Sequence, residues 1–195
     1  MQLVVKNLFF IQNTILFHII MYDRRDFMRT IGIFDEKNYD PDWVRTVREA
    51  VRAVIIRDGK IALVKSKTEG FYKFPGGGIE AGETHLEALT RETREEAGLQ
   101  IIPETVREFG FMQEIRAGIY GQEIFDQTSY YYLAEVRDEK LEQELDDYEE
   151  RLGYELVWED IRRAYESNMR KNVKEHYRTT FLMRESYVLE CLLDA

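Results

Sequence analysis

The stretch GGIEAGETHLEALTRETREEAGL, Gly77–Leu99, carries the strongest structural and chemical signals in this 195-residue chain. Thr84 is followed three residues later by Glu87, and this spacing is a capping box that marks the start of a helix. Gly98 stands where a left-handed C-terminal cap ends a helix. The residues between have good helix propensity. The pattern therefore predicts one helix over residues 84–97.

Two stripes of side chains run along this predicted helix, since successive residues turn by about 100°. The stripe predicted to face the core consists of Leu86, Leu89, Thr93 and Ala97. The stripe beside it is acidic and consists of Glu92, Glu95 and Glu96, with Arg91 at its edge. Like charges at this spacing repel by roughly 0.2–0.5 kcal/mol per pair. A divalent cation relieves that repulsion, and Mg²⁺ prefers carboxylate oxygens and water. The alternative is an exposed acidic face without a metal.

A glycine-rich loop precedes the helix and favours the metal site. It reads Phe74-Pro75-Gly76-Gly77-Gly78. Glycines cost backbone entropy, so a fold keeps three of them where the chain turns sharply or approaches a ligand closely. A carbonyl freed in such a turn can serve as one more oxygen ligand.

The whole segment resembles the Nudix box, a motif of nine specified positions over 23 residues. The residues at these nine positions are Gly77, Glu83, Arg91, Glu92, Thr93, Glu95, Glu96, Gly98 and Leu99. One position departs from the pattern, because Thr93 stands where the family has an aliphatic residue. Every charged position matches, and the order of the flanking strands extends the resemblance to about residues 45–165.

The resemblance implies a role for each charged position. Glu95 and Glu96 match the main metal-ligating pair, and Glu92 matches the residue that helps to bind metal or acts as general base. Glu83 matches a further contributor, and Arg91 matches the arginine that orients the carboxylates. The remaining metal contact implied is a backbone carbonyl of Gly76 or Gly77. An acid in 138–150 is expected to complete the site, without an indication of which one.

The same resemblance implies the fold, the cofactor and the reaction. The family fold is an α/β/α sandwich with a mixed β-sheet. The implied enzyme is a diphosphatase that uses Mg²⁺, with Mn²⁺ as a possible substitute, to cleave the diphosphate bond of a nucleoside diphosphate linked to another moiety. The metal would polarise the phosphorus and lower the pKa of a bound water.

Substrate contacts rest on weaker signals. Arg52 and Lys73 lie on or near the strands that lead to the box and are predicted to meet phosphates. Lys65 is interpreted as a surface cation, and His85 as an exposed residue of the first helical turn. Marks of several subfamilies are absent, which favours a nucleoside triphosphate or a related nucleotide as substrate.

The flanking sequence predicts an α+β domain. Two short β-branched runs, 51–56 and 60–64, are separated by Arg57-Asp58-Gly59, a hairpin signal. Further strands are predicted over 105–115, 124–136 and 154–158, and helices over 159–169 and 183–193. Residues 29–195 are interpreted as one domain. Residues 1–28 are interpreted as a leader of uncertain structure, or as an artefact of start-site choice with Met21 or Met28 as the start. The apolar run in this segment is too interrupted for a membrane helix.

Composition limits the partners. The net charge of −10 argues against nucleic acid as the main partner, and no membrane partner is expected. The single cysteine, Cys191, allows no disulfide within the chain and fits a reducing cytoplasm. A homodimer is expected from the resemblance alone. Two alternatives stay open: a non-catalytic nucleotide sensor, which would be expected to lack box carboxylates, and an isopentenyl diphosphate isomerase, for which Cys191 is poorly placed.

Overall fold

The computed structural model describes residues 28–119, 121–171 and 176–194. The described strands are β1 Thr30–Asp35, β2 Val44–Val54, β3 Ile56–Arg57, β4 Lys60–Ser66, β5 Tyr72–Lys73, β6 Leu99–Ile101, β7 Arg107–Ala117, β8 Glu123–Leu133, β9 Val136–Lys140 and β10 Tyr154–Glu159. The described helices are α1 His85–Ala97, α2 Asp147–Leu152, α3 Ile161–Met169 and α4 His176–Leu193.

The larger sheet is mixed and has the strand order β1-β7-β8-β2. Its outer pairs, β1 with β7 and β2 with β8, are parallel, whereas β7 and β8 are antiparallel. A second, antiparallel sheet has the order β10-β4-β3, with β5 paired to β4. The predicted mixed sheet is therefore present.

The predicted Asp-Gly hairpin is confirmed between β3 and β4, where Arg57 pairs with Lys60. Asp58 and Gly59 both have positive φ, at 51° and 73°. A two-residue hairpin of this type needs positive φ at both central positions, which is why Asp-Gly suits it. The turn brings β4 back across the core.

Side chains that alternate along β2 divide the core into two layers. Val51 and Ala53 pack with buried residues of α1 on one face of the sheet. Val54 points to the other face and packs in the cluster that contains Ala164 of α3 and Leu189 of α4. Helices therefore cover both sides of the β layer, which confirms the α/β/α sandwich and the α+β class.

Helix α1 has the predicted ends but a different core stripe. Thr84 and Glu87 form the reciprocal capping box, and Gly98 is left-handed with φ 65°. The prediction for Leu86 is wrong, because this side chain is 39% exposed. Ala88 is buried instead, beside Leu89. Helix α1 lies close to the sheet, so the small side chain of Ala88 fills the contact and Leu86 lies outside it.

The C-terminal strand β10 and the helices α3 and α4 are present as predicted, but α4 is longer than predicted. It begins at His176 rather than at residue 183. Cys191 is half-buried, as a packed core residue would be, and its thiol pKa is raised by burial.

The predicted leader lies outside the described residues except for Met28. No helix within the described ranges is long and apolar enough to cross a membrane.

Candidate functional site

The glycine loop is joined to the outer edge of β2. Val51 donates its N–H to the Gly77 carbonyl at 2.9 Å, and Ala53 donates to the Pro75 carbonyl at 2.8 Å. Gly76 has φ 137°, and a Cβ there would overlap the Val51 carbonyl oxygen. The loop can run this close to the strand only because Gly76 has no side chain.

Glu96 is the most deeply buried acid of α1, with 2% of its surface exposed. One carboxylate oxygen accepts a hydrogen bond from Lys73 Nζ, and the other accepts the Gly76 N–H at 2.8 Å. Lys73 is buried as well and also lies over the ring of Tyr154. The structure thus joins two predicted site residues, Lys73 and Glu96, in a buried ion pair.

A single guanidinium gathers the other three glutamates of the box. Arg91 donates to both oxygens of Glu83 at 2.7 and 2.8 Å, to Glu92 at 2.8 Å and to Glu95 at 3.1 Å. It also donates to the Gly78 carbonyl at 3.1 Å. Hydrogen bonds from Arg91, with one from the Glu80 N–H, lower the pKa of Glu83 to about 2. Arg91 therefore links the helix carboxylates to the loop.

Glu92 lies over the middle glycine of the loop. A Cβ on Gly77 would overlap the Glu92 carboxylate. Burial raises the pKa of Glu92, and although its hydrogen bond to Arg91 opposes this shift, the charge of Glu96 adds to it. A carboxyl group with a raised pKa is better suited to accept a proton near neutral pH.

Glu149 is an acid of 138–150 whose carboxyl group interacts with Glu96. It belongs to α2, whose capping box pairs Asp146 with Glu149. Burial raises the pKa of Glu149 to about 7, and the charge of Glu96 and a hydrogen bond to it act in the same direction. The Asp-x-x-Glu spacing at 146–149 was a signal for this helix start, but nothing local indicated that α2 folds onto Glu96.

Arg52 is buried on the β2 face that points away from α1. Only 6% of its surface is exposed, and its Nε and Nη1 atoms have no hydrogen-bond partner among the described residues. Its charge acts on Glu92 and on the Tyr154 hydroxyl. Arg52, a predicted substrate contact, therefore has unused donors within electrostatic range of Glu92.

The structure corrects the interpretation of His85 and agrees with that of Lys65 as a surface cation. His85 is half-buried rather than exposed: its Nδ1 lies 2.6 Å from the Tyr132 hydroxyl, and its ring is tilted against that of Tyr130 with the centroids 4.5 Å apart. Lys65 is half-buried at the sheet surface, and its ammonium group lies over the ring of Tyr72. It makes no contact with the described residues of the box. Neither residue touches the carboxylates.

A buried ionic network fixes α4 beside the loop. Arg184 of α4 bonds Glu114 of β7 at 3.0 Å and Glu185 at 2.9 Å. Glu185 also accepts the N–H of Phe74 at 2.8 Å. Sequence reasoning missed this network, because its members are far apart in the chain and match no motif.

The donor chemistry of the site fits a hard divalent cation. The available ligands are carboxylate oxygens of Glu92, Glu95, Glu96 and Glu149, with the carbonyl of Gly76. In the described part of the chain, no three acidic, histidine or cysteine side chains already converge as a metal-binding group. The carboxylates are instead turned toward Arg91 and Lys73, so a cation would have to replace these contacts. All-oxygen ligation of this kind suits Mg²⁺ or Mn²⁺.

The comparisons with known proteins identify the family. A family model described as the NUDIX domain matches residues 46–181. A protein named nucleoside triphosphatase NudI from Escherichia coli O81 (strain ED1a) is 31% identical over 133 residues, which cover 63% of this chain and 94% of that protein. The protein of the same name from Shigella flexneri serotype 5b (strain 8401) is 30% identical with the same coverage.

A solved structure gives the same result at the level of the fold. The NUDIX hydrolase from Nitrosomonas europaea superposes with a TM-score of 0.52 at 19% identity, covering 74% of this chain and 90% of that chain. The family model spans well over half of the 195 residues. This chain belongs to the Nudix family.

Proposed function

We propose that this protein is a divalent-metal-dependent hydrolase that cleaves the diphosphate bond of a nucleoside diphosphate linked to another moiety, with a nucleoside triphosphate as the favoured substrate. The observation that carries the proposal is the position of Glu92 and Glu96 on the glycine loop, with Arg91 joining Glu92 to Glu95. The likeness to nucleoside triphosphatases supports the substrate class.

The proposed metal ligands are Glu92, Glu95 and Glu96, with the Gly76 carbonyl and Glu149. Mg²⁺, or Mn²⁺ in its place, would supply charge stabilisation at the phosphate oxygens and a more acidic bound water. Three α1 carboxylates without a cation would repel a polyanionic substrate, which is the physical reason for the metal requirement.

The protein's own groups would position and deprotonate the attacking water. Glu92 has a pKa raised by burial and accepts the water proton. Arg91 holds Glu92 and Glu95 in place, and Glu83 in turn holds Arg91. Arg91 and Glu83 are therefore assigned as positioning residues within the predicted catalytic set.

Arg52 and Lys73 are proposed to bind substrate phosphates. Arg52 has unused buried donors beside the carboxylates. Lys73 is paired with Glu96, and it would become available for a phosphate oxygen when a cation takes over that carboxylate. Both side chains would then neutralise charge that develops as the diphosphate bond breaks.

The alternative function is a nucleotide sensor that binds without turnover. The complete set of box carboxylates favours the enzyme. The test is phosphate or pyrophosphate release from dGTP, 8-oxo-dGTP, ADP-ribose, dinucleoside polyphosphates and nucleotide sugars, each with Mg²⁺, with Mn²⁺ and with EDTA. Metal-dependent release from a nucleotide, abolished by Glu96→Gln, supports the hydrolase. Nucleotide binding without release in all conditions would instead support the sensor.

We also propose that the protein is a cytoplasmic homodimer that does not bind nucleic acid. Residues 75–79 cover the outer edge of β2 from Glu49 onward, but no described strand covers the edge before it. Val44 and Val47 on this edge are 75% and 67% exposed. An uncovered β-branched edge is a template for strand pairing. Sedimentation of the wild type and of Val47→Lys tests the dimer, since a lysine there would disfavour pairing.

A further inference from the structure

Two arginines of β2 lie near the proposed catalytic centre without ion-pair partners. Arg48 and Arg52 are separated by the fully buried Ala50, so all three point to the same face of the strand. Neither arginine makes an ion pair or hydrogen bond with a described residue, although the buried Nε and Nη1 of Arg52 need partners. A buried guanidinium with unused donors is costly unless an anion satisfies it.

The two arginines lie on either side of the loop position that carries Glu92. Arg52 is next to Gly76, whose Cβ would overlap the Arg52 backbone region. The guanidinium of Arg48 lies against Gly78, where an added Cβ would come within 3.1 Å of Nη2. Glu92 lies over Gly77 between them. The charges of both arginines act within this region, because that of Arg52 reaches Glu92 and Arg48. A phosphate chain on the carboxylate centre would therefore meet both arginines.

Arg48 and Arg52 differ from the neighbouring Arg184 in how their charge is balanced. Arg184 is neutralised by Glu114 and Glu185. Arg48, by contrast, is exposed at the surface, and partial desolvation of its guanidinium together with the nearby charges of Arg52 and Arg184 lowers its pKa. Glu92 is near both β2 arginines, but it is hydrogen-bonded to Arg91. Arg48 and Arg52 thus repel each other and carry positive charge that an anionic ligand can balance.

We propose that Arg48 and Arg52 form a phosphate clamp that selects a chain of three phosphates over a diphosphate whose second substituent is uncharged. This inference rests on the proposed function for the position of the cleaved bond. Arg52 holds the phosphates at the buried end, and Arg48 contacts the additional phosphate at the accessible end. Arg48 is therefore the specificity-determining residue.

Binding, measured apart from turnover, tests the clamp separately from catalysis. Isothermal titration with saturating Mg²⁺ at low ionic strength compares inorganic tripolyphosphate with pyrophosphate, since the cation would offset the repulsion from the α1 carboxylates. Arg48→Gln is expected to weaken tripolyphosphate binding by about ten- to a hundredfold, the range for losing a charge-assisted contact. Arg48→Lys is expected to restore part of it. Arg45→Gln is the matched control, because Arg45 is on the other face of the same strand and is paired with Asp126 at 2.6 Å.

Kinetics with Mg²⁺ tests selection. Arg48→Gln should lower kcat/KM for dGTP by about ten- to a hundredfold, mainly through KM, and change it less than about threefold for ADP-ribose. Absence of tripolyphosphate binding by the wild type, or equal losses on both nucleotides, would overturn the clamp. Tripolyphosphate binding that depends on Arg48, in a protein that hydrolyses nothing, would uphold the clamp and refute the proposed function instead.

Discussion

Glu92 packs against the backbone of Gly77, so closely that a β-carbon on the glycine would occupy the place of the carboxylate. Gly77→Ala should therefore displace Glu92 and lower kcat by about a hundredfold, since shifts near 1 Å at a catalytic group have such effects. The melting temperature should change little. The matched control is Gly121→Ala, because a Cβ at Gly121 meets nothing within 4 Å. Unchanged turnover in Gly77→Ala would remove Glu92 from the proposed mechanism.

Arg91 is expected to act through its fork geometry rather than its charge alone. Arg91→Lys keeps the positive charge but cannot bond Glu83, Glu92 and Glu95 together. We expect metal affinity or kcat to fall by about ten- to a hundredfold, the usual effect of losing a group that orients metal ligands. Arg94→Lys serves as the control, since Arg94 pairs with Glu144 outside the site. Equal activities of the two variants would contradict the positioning role.

Acid stability should reveal the Glu83–Arg91 pair. The folded-state pKa of Glu83 is about 2, below its ordinary value of 4.5, so folding favours the charged form. The pair stabilises the fold fully above pH 4.5 and loses this effect as the pH falls toward 2. Glu83→Gln should lower the melting temperature by roughly 2 °C at pH 6. This difference in melting temperature should shrink as the pH falls below 4.5. A difference that stays constant would contradict the stabilising role of the Glu83–Arg91 pair.

Glu149 should make metal binding depend on pH. With a pKa raised to about 7, it holds a proton below neutrality in the metal-free protein. A cation needs the deprotonated carboxylate, so Mg²⁺ affinity should rise between pH 6 and 8, and part of this rise should vanish in Glu149→Gln. The control is the exposed neighbour in Glu150→Gln. Titrations with identical pH dependence in both variants would exclude Glu149 from the site.

Two leucines of α1 should differ sharply in their contribution to stability. Leu89 is fully buried, so Leu89→Ala should lower the free energy of unfolding by about 2–5 kcal/mol. Leu86 is exposed, so Leu86→Ala should change it by less than about 0.5 kcal/mol. Urea denaturation of both variants measures the difference. Similar losses would mean that α1 packs on the sheet through the face predicted from periodicity.

Local signals in the sequence were sufficient for α1, the hairpin and the positions of the box. The capping box, the left-handed Gly98 and the Asp58-Gly59 turn depend on backbone geometry within a few residues. The acidic stripe follows from helical periodicity, and Arg91 is one turn before Glu95. These features are determined over short separations, where the sequence specifies geometry directly.

Tertiary packing decided the rest of the site. Glu149 meets Glu96 across 53 positions of sequence, and the buried pairing of Lys73 with Glu96 depends on how α1 lies against β5. Leu86 is excluded from the core because close approach of the helix leaves room only for Ala88. Such contacts depend on how elements distant in the chain pack against each other, and this packing sets burial, local charge and therefore pKa. The sequence by itself determined which chemistry the helix can present, and only the fold determined which distant groups surround it.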